Sequence, residues 1–184
     1  MNIQTQLKRN KRFGFSLLGF SLIELLVTIT LLSVLLFIAL PSFQQLISDT
    51  RLSTQSLTLR NVLSTGRSEA INRGEAVRLC NAAPSGMSCV STALQGTEQW
   101  DRALILFVDK NDNRQIDPGV DTVIKRIEVD PSVPIQWNRG GSLSFLPTGR
   151  MDWGANGTFV LQDASSGEQV SLVISIQGRV RLQD

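Results

Sequence analysis

Histidine is absent from this 184-residue chain, and cysteine occurs only twice, at Cys80 and Cys89. Without imidazole no Ser-His-Asp triad can be built, and two thiols are too few for most zinc sites. The chain is therefore not expected to be an enzyme, and neither a metal nor a cofactor is expected. A strong charge of one sign is also missing, since the full chain carries a net charge of only +2. No global positive field draws it to polyanions, so any such binding has to come from a local cluster. Lysine is scarce as well. Beyond residue 19 there are 12 arginines among 14 basic side chains, which favours forked contacts to carboxylate or phosphate over simple solubilising charge. No internal repeat and no low-complexity tract is evident.

What is present is a long apolar run. Lys8, Arg9, Lys11 and Arg12 lie ahead of Gly19, and Phe20 to Leu40 is apolar apart from the carboxylate of Glu24 and a few hydroxyls. A bilayer core is crossed by a helix of about 20 apolar residues, and this segment has that length. An ordinary secretory signal places its small-residue cleavage site after a shorter apolar core, whereas Gly19 precedes the run. Cleavage at Gly19 would remove the four cations and keep the hydrophobic helix. Of 18 basic residues 14 would then remain, against 16 acidic, a net charge of −2. The basic leader is expected to stay cytoplasmic, with everything beyond Leu40 exported.

The combination Gly19-Phe20-Ser21-Leu22-Ile23-Glu24 resembles the processing site of type IV prepilins. That resemblance implies cleavage after Gly19 by a prepilin peptidase, N-methylation of Phe20, and a Glu24 that pairs with the methylated amine of a neighbouring subunit during filament assembly. The physical alternative for Glu24 is a carboxylate snorkelling to the headgroups from near the helix end. Gly14-Phe15 is a weaker candidate, because Gly19 stands where the glutamate belongs.

The chain accordingly divides into three segments: a leader over 1–19, a helix over 20–72 whose first part, 20–40, spans a membrane, and a globular domain over 73–184. The second half of the helix carries one apolar stripe, Phe43, Leu46, Ile47, Leu52, Leu59, Leu63, Ala70 and Ile71, and Gly74 ends it. Beyond it, β-branched and apolar runs punctuated by Gly, Pro, Asn and Asp predict strands at 76–80, 103–108, 122–129, 133–137, 142–146, 157–161, 169–176 and 179–182. The fold class is α+β: a long N-terminal helix packed on an antiparallel, β-rich domain. In an exported compartment Cys80 and Cys89 are expected to form a disulfide around a loop that Pro84 and Gly86 allow to reverse. Trp100, Trp137 and Trp153 could stack on bases, but large aromatics at such positions generally pack a core, and that is expected of all three.

Asp109, Asn111, Asn113, Gln115 and Asp117 alternate like the first half of a calcium loop. Arg114 occupies the place of its glycine, however, and Val120 that of its glutamate, so a turn is expected instead. In the tail, Val170, Leu172, Ile174 and Ile176 share one face, and Val180 and Leu182 keep the parity. Arg179 and Arg181 then project together from the other face, about 7 Å apart. Two readings are open on physical grounds: charges that protect an edge strand, or a two-pronged phosphate contact. Gly178-Arg179-Val180-Arg181 resembles the Gly-Arg-x-Arg motif associated, in FimT-like minor pilins, with binding DNA during natural transformation. The segment from Phe107 to Arg114 together with this tail is similar both to that group and to the H-type pseudopilins of type II secretion.

The resemblance implies an inner-membrane, single-pass protein with a periplasmic domain that enters a type IV pilus with other pilin subunits. It also implies a sequence-independent contact to DNA through Gly178, Arg179 and Arg181, with Arg139 and Arg150 as helpers. The alternative it implies is a structural subunit of a secretion pseudopilus.

Overall fold

The computed structural model describes residues 19–86, 88–90 and 95–183. Most of the leader, including Gly14-Phe15 and the four cations, lies outside them. The chain divides after Ser42 into two units, and helix α1 (Leu22–Arg73) contributes to both.

In the first unit the helix starts just after Ser21, whose carbonyl accepts a hydrogen bond from Leu25 N (3.1 Å). Ser21 and Glu24 have the spacing of a capping box, and an acid in the first turn faces the positive end of the helix dipole. The apolar side chains from Leu22 to Leu40 are exposed all round within the chain, and this helix is long and apolar enough to cross a membrane. Its hydroxyls are already satisfied. Thr28, Thr30 and Ser33 donate to the carbonyls of Leu25, Val27 and Thr30 at 2.7–2.8 Å, so none presents an unpaired donor to hydrocarbon.

The second unit, Phe43–Asp184, packs the rest of α1 against two antiparallel sheets. The first has the order β4-β3-β1-β6, with β1 (Val77–Asn81), β3 (Leu104–Val108), β4 (Thr122–Ile127) and β6 (Ser142–Phe145). The second has the order β2-β5-β7-β8-β9, with β2 (Glu98–Trp100), β5 (Ile135–Trp137), β7 (Gly157–Gln162), β8 (Gln169–Ile174) and β9 (Val180–Gln183). The predicted strands all appear, with ends shifted by a few residues. β2 has no counterpart among them, because three residues with one apolar side chain carry no period-2 signal.

The buried stripe of α1 is Leu52, Leu59, Val62, Leu63 and Ala70, while Phe43, Leu46 and Ile71, expected in that stripe, are exposed. Gly66 sets the approach of helix to sheet: a Cβ there would stand 2.9 Å from Leu106 Cδ1 and 3.1 Å from the Phe145 ring. In β1 and β3 every residue is buried. Val77, Leu79, Leu104, Leu106 and Val108 join the main core, and Cys80, Ile105 and Phe107 form a second cluster on the opposite face. A sheet covered on both faces reads as an unbroken apolar run, which is how these strands read.

Cover for that second face comes from two loops. One is closed by the Cys80–Cys89 disulfide, with Cα atoms 5.7 Å apart. Closing so short a loop is worth about 2–3 kcal/mol by chain entropy. Titration of the unfolded, unreduced protein should find no free thiol, and two reactive thiols would overturn the pairing. The other loop is 109–121, the calcium-like segment. The guanidinium of Arg78, itself buried, pairs with Asp109 and Asp112. Asp109 also accepts the backbone N–H groups of Asn113 (3.2 Å) and Arg114 (2.9 Å), and Asp117 accepts from Asn111 Nδ2 (2.8 Å). An arginine thus lies among the carboxylates that a cation would need. Asp112 (φ 57°) and Arg114 (φ 67°) take left-handed turn conformations.

Trp100 and Trp137 are buried around Phe159. Trp137 stacks on it with centroids 4.1 Å apart, and Trp100 meets it edge-on at 5.1 Å. Trp153 departs from the expectation for all three: it is 91% exposed.

Candidate functional site

The tail hairpin β8–β9 turns through Ser175–Gly178. Gly178 N donates to Ser175 O (2.8 Å), Ser175 N to Arg179 O (3.0 Å), and Arg179 N to Ser175 Oγ (3.2 Å). Gly178 has φ +73°, the left-handed position that a bulged hairpin turn requires of its last residue. A Cβ there would also stand 2.5 Å from the carbonyl oxygen of Gly149. No other residue meets both conditions without moving the backbone. The turn sets the parity of strand β9. Val180 pairs with Ile174 and packs on the core, and Arg181 pairs with Val173. Arg179 and Arg181 are both exposed, in keeping with the alternation.

Opposite them runs a face of α1. Arg60, Ser64 and Arg67, spaced four and three residues apart, line one side of a groove of about 390 Å³, and Gly178 to Arg181 line the other. Arg67 crosses under the turn. Its Nε is 3.2 Å from the Cβ position of Gly149 and 3.4 Å from that of Gly178, and this buried Nε has no hydrogen-bond partner among the described residues. The two glycines leave room for the arginine stem.

Four arginines therefore converge, and among the described residues none of them has a carboxylate within ion-pairing distance. The ion pairs that do form use Arg73, Arg78, Arg102, Arg114 and Arg126. Arg60 and Arg67 were not anticipated. Read alone they belong to the polar face of a helix, and only their one-face spacing hinted at a shared role. Arg150 is exposed on the turn that abuts Gly178, where Met151 N donates to Ile176 O (2.9 Å), but it does not line the groove. Arg139 is exposed but does not line the groove; its Nε donates to the carbonyl of Asn156 (3.0 Å) beyond β5.

Farther toward the start of α1 in this unit, Asp49, Ser53 and Ser56 line a second groove with Glu168 and Leu182. Hydrogen bonding and repulsion from Asp49 hold the Glu168 carboxyl above its ordinary pKa. Carboxylates thus line the groove at this end of the helix–strand seam, and arginines line the one at the Gly178 end. Glu24 is exposed in the first helical turn, and Gly19 and Phe20 precede it in non-helical backbone. Among the described residues no cluster of three or more His, Cys, Asp or Glu is placed to hold a metal.

Residues 55–178 match the family model described as "Type II transport protein GspH". Over 175 residues the chain is 32% identical to the pilin-like protein PilA1 of Thermus thermophilus, covering 90% of this chain and 97% of that protein. The crystal structure of the type IV minor pilin FimU of Pseudomonas aeruginosa is similar in fold, with a TM-score of 0.54 at 16% identity over 74% of this chain and 90% of that one. A second crystal form of FimU gives a TM-score of 0.52. The chain belongs to the GspH family and is pilin-like.

Proposed function

We propose that this chain is a type IV minor pilin that binds DNA during natural transformation, its arginine groove gripping the phosphate backbone. The observation that carries the reading is the convergence of Arg60, Arg67, Arg179 and Arg181 without a carboxylate partner among the described residues. Like charges gathered without a counter-ion favour an anion between them, and phosphate suits the guanidinium fork. Contacts of this kind position a strand and carry no sequence information. The role is one of binding and assembly, with no catalysis. A salt-dependent DNA titration of the parent and of the Arg179→Gln/Arg181→Gln variant tests it. A variant that binds as well as the parent would favour the competing reading, a type II secretion pseudopilin whose groove takes an acidic partner subunit. That reading draws on the description of the matching family.

Assembly rests on the other end of the chain. We propose cleavage after Gly19 by a prepilin peptidase, methylation of Phe20, and pairing of Glu24 with the N-terminal amine of a neighbouring subunit. The apolar helix would hold the protein in the inner membrane with its β-rich unit in the periplasm until it enters the filament. Intact-mass analysis of protein from membranes should give a chain beginning at methylated Phe20. A start at Phe15, or an uncut chain, would contradict the assignment.

A further inference from the structure

We propose that Trp153 is a stacking platform for an unpaired base, so that the site takes single-stranded DNA in preference to duplex; this rests on the DNA reading of the arginine groove. Two of the three tryptophans serve the core, but Trp153 leaves its indole 91% exposed. The turn that presents it is held in place. Asp152 N donates to Ser144 O (3.0 Å), Ala155 N donates to Asp152 O (3.1 Å), and the Asp152 carboxylate accepts Trp153 N (2.7 Å) and lies 3.8 Å from the Arg114 guanidinium. An aromatic on a fixed turn loses little freedom on binding.

The backbone fixes its place. Met151, two residues earlier, donates its N–H to Ile176 O in the turn that carries Arg179, and the Gly149 carbonyl abuts Gly178. Successive Cα atoms are about 3.8 Å apart, so the Trp153 Cα lies within about 8 Å of that of Met151. Because these two turns touch, a strand leaving the groove has only a few nucleotides to span to Trp153, inside the range of roughly four to sixteen that single-strand-binding folds track. Stacking requires a free base face. In a duplex those faces are occupied by neighbouring base pairs, whereas the phosphates remain open to the arginines. The groove alone would accept either form, and the indole adds affinity for one.

The experiment uses the full chain, purified from membranes in detergent, with an oligothymidylate and a duplex of equal length as probes. Trp100 and Trp137 are buried, so quenching of exposed-tryptophan emission reports on Trp153 directly. Trp153→Ala should weaken binding of the single strand at least about five-fold, leave duplex binding within about two-fold, and abolish the quenching, while Trp153→Phe keeps most of the single-strand affinity. Arg179→Gln/Arg181→Gln should weaken both probes. If Trp153→Ala binds the single strand as the parent does while the arginine variant does not, the stacking proposal falls and the DNA reading stands. If the parent binds neither probe, both fall. Emission that answers to an added pilin subunit and not to oligothymidylate would assign Trp153 to a subunit interface and overturn the proposal.

Discussion

Replacing Arg78 with alanine is expected to destabilise the β-rich unit by about 3–5 kcal/mol, the cost of leaving a buried carboxylate without its partner. Asp109 is buried against the sheet and Arg78 is buried beside it. Deleting the guanidinium strands the Asp109 charge and releases Asp112, so the 109–121 loop loses its anchor on the second face of the first sheet. Arg78→Lys should recover little, since an ammonium cannot fork to two carboxylates. Arg78→Met with Asp109→Asn removes both charges, keeps a carbonyl acceptor for the backbone N–H groups of the loop, and should recover part of the loss. Denaturant unfolding measures all three. A loss below about 1 kcal/mol for the alanine variant would mean that the pair is not what holds the loop.

The second large effect concerns the groove. Arg179→Gln/Arg181→Gln keeps polarity and most of the side-chain length while removing two of four converging charges. Each arginine–phosphate contact releases counterions, so the double variant should lose roughly ten-fold or more in DNA affinity at low salt, with its fold intact. The fold should survive because both side chains are exposed and neither carries an ion pair among the described residues. Adding Arg60→Gln should deepen the loss, because Arg60 lines the opposite wall. Gly178→Ala tests the same site without altering charge. The added methyl meets the Gly149 carbonyl and the residue resists φ +73°, so the hairpin must shift and re-aim Arg179.

Periodicity made the elements legible, and tertiary packing decided what it could not reach. The helix was expected over 20–72 and occupies Leu22–Arg73, because apolar length and the stop at Gly74 are local signals. The separation of the strands into two sheets was not legible. β1 pairs with β6 across some sixty residues, and nothing local in either strand names its partner. The apolar stripe of α1 was overextended to Phe43, Leu46 and Ile71, since spacing marks a face but not where the sheet beneath it begins and ends. At the site, Arg179 and Arg181 were legible because strand parity and a glycine turn lie in one short stretch. Arg60 and Arg67 were not, because the strand that faces them lies more than a hundred residues away in the chain. Trp153 was misassigned to the core for a related reason: aromatic identity gives a preference for burial, and only the geometry of the Asp152–Ala155 turn shows the indole left outside.

The measurement that bears most directly on the arginine groove is the slope of log affinity against log salt for duplex DNA, parent against Arg179→Gln/Arg181→Gln, on the full chain. Comparing the two cancels charges that both proteins share. Each phosphate contact contributes about −0.9 to the slope, so the double variant should be shallower by about 1.8. Raising salt about four-fold should then cost the parent about twelve-fold more affinity than it costs the variant. Equal slopes and equal low-salt affinities would contradict the account and leave the groove as a contact for a neighbouring subunit.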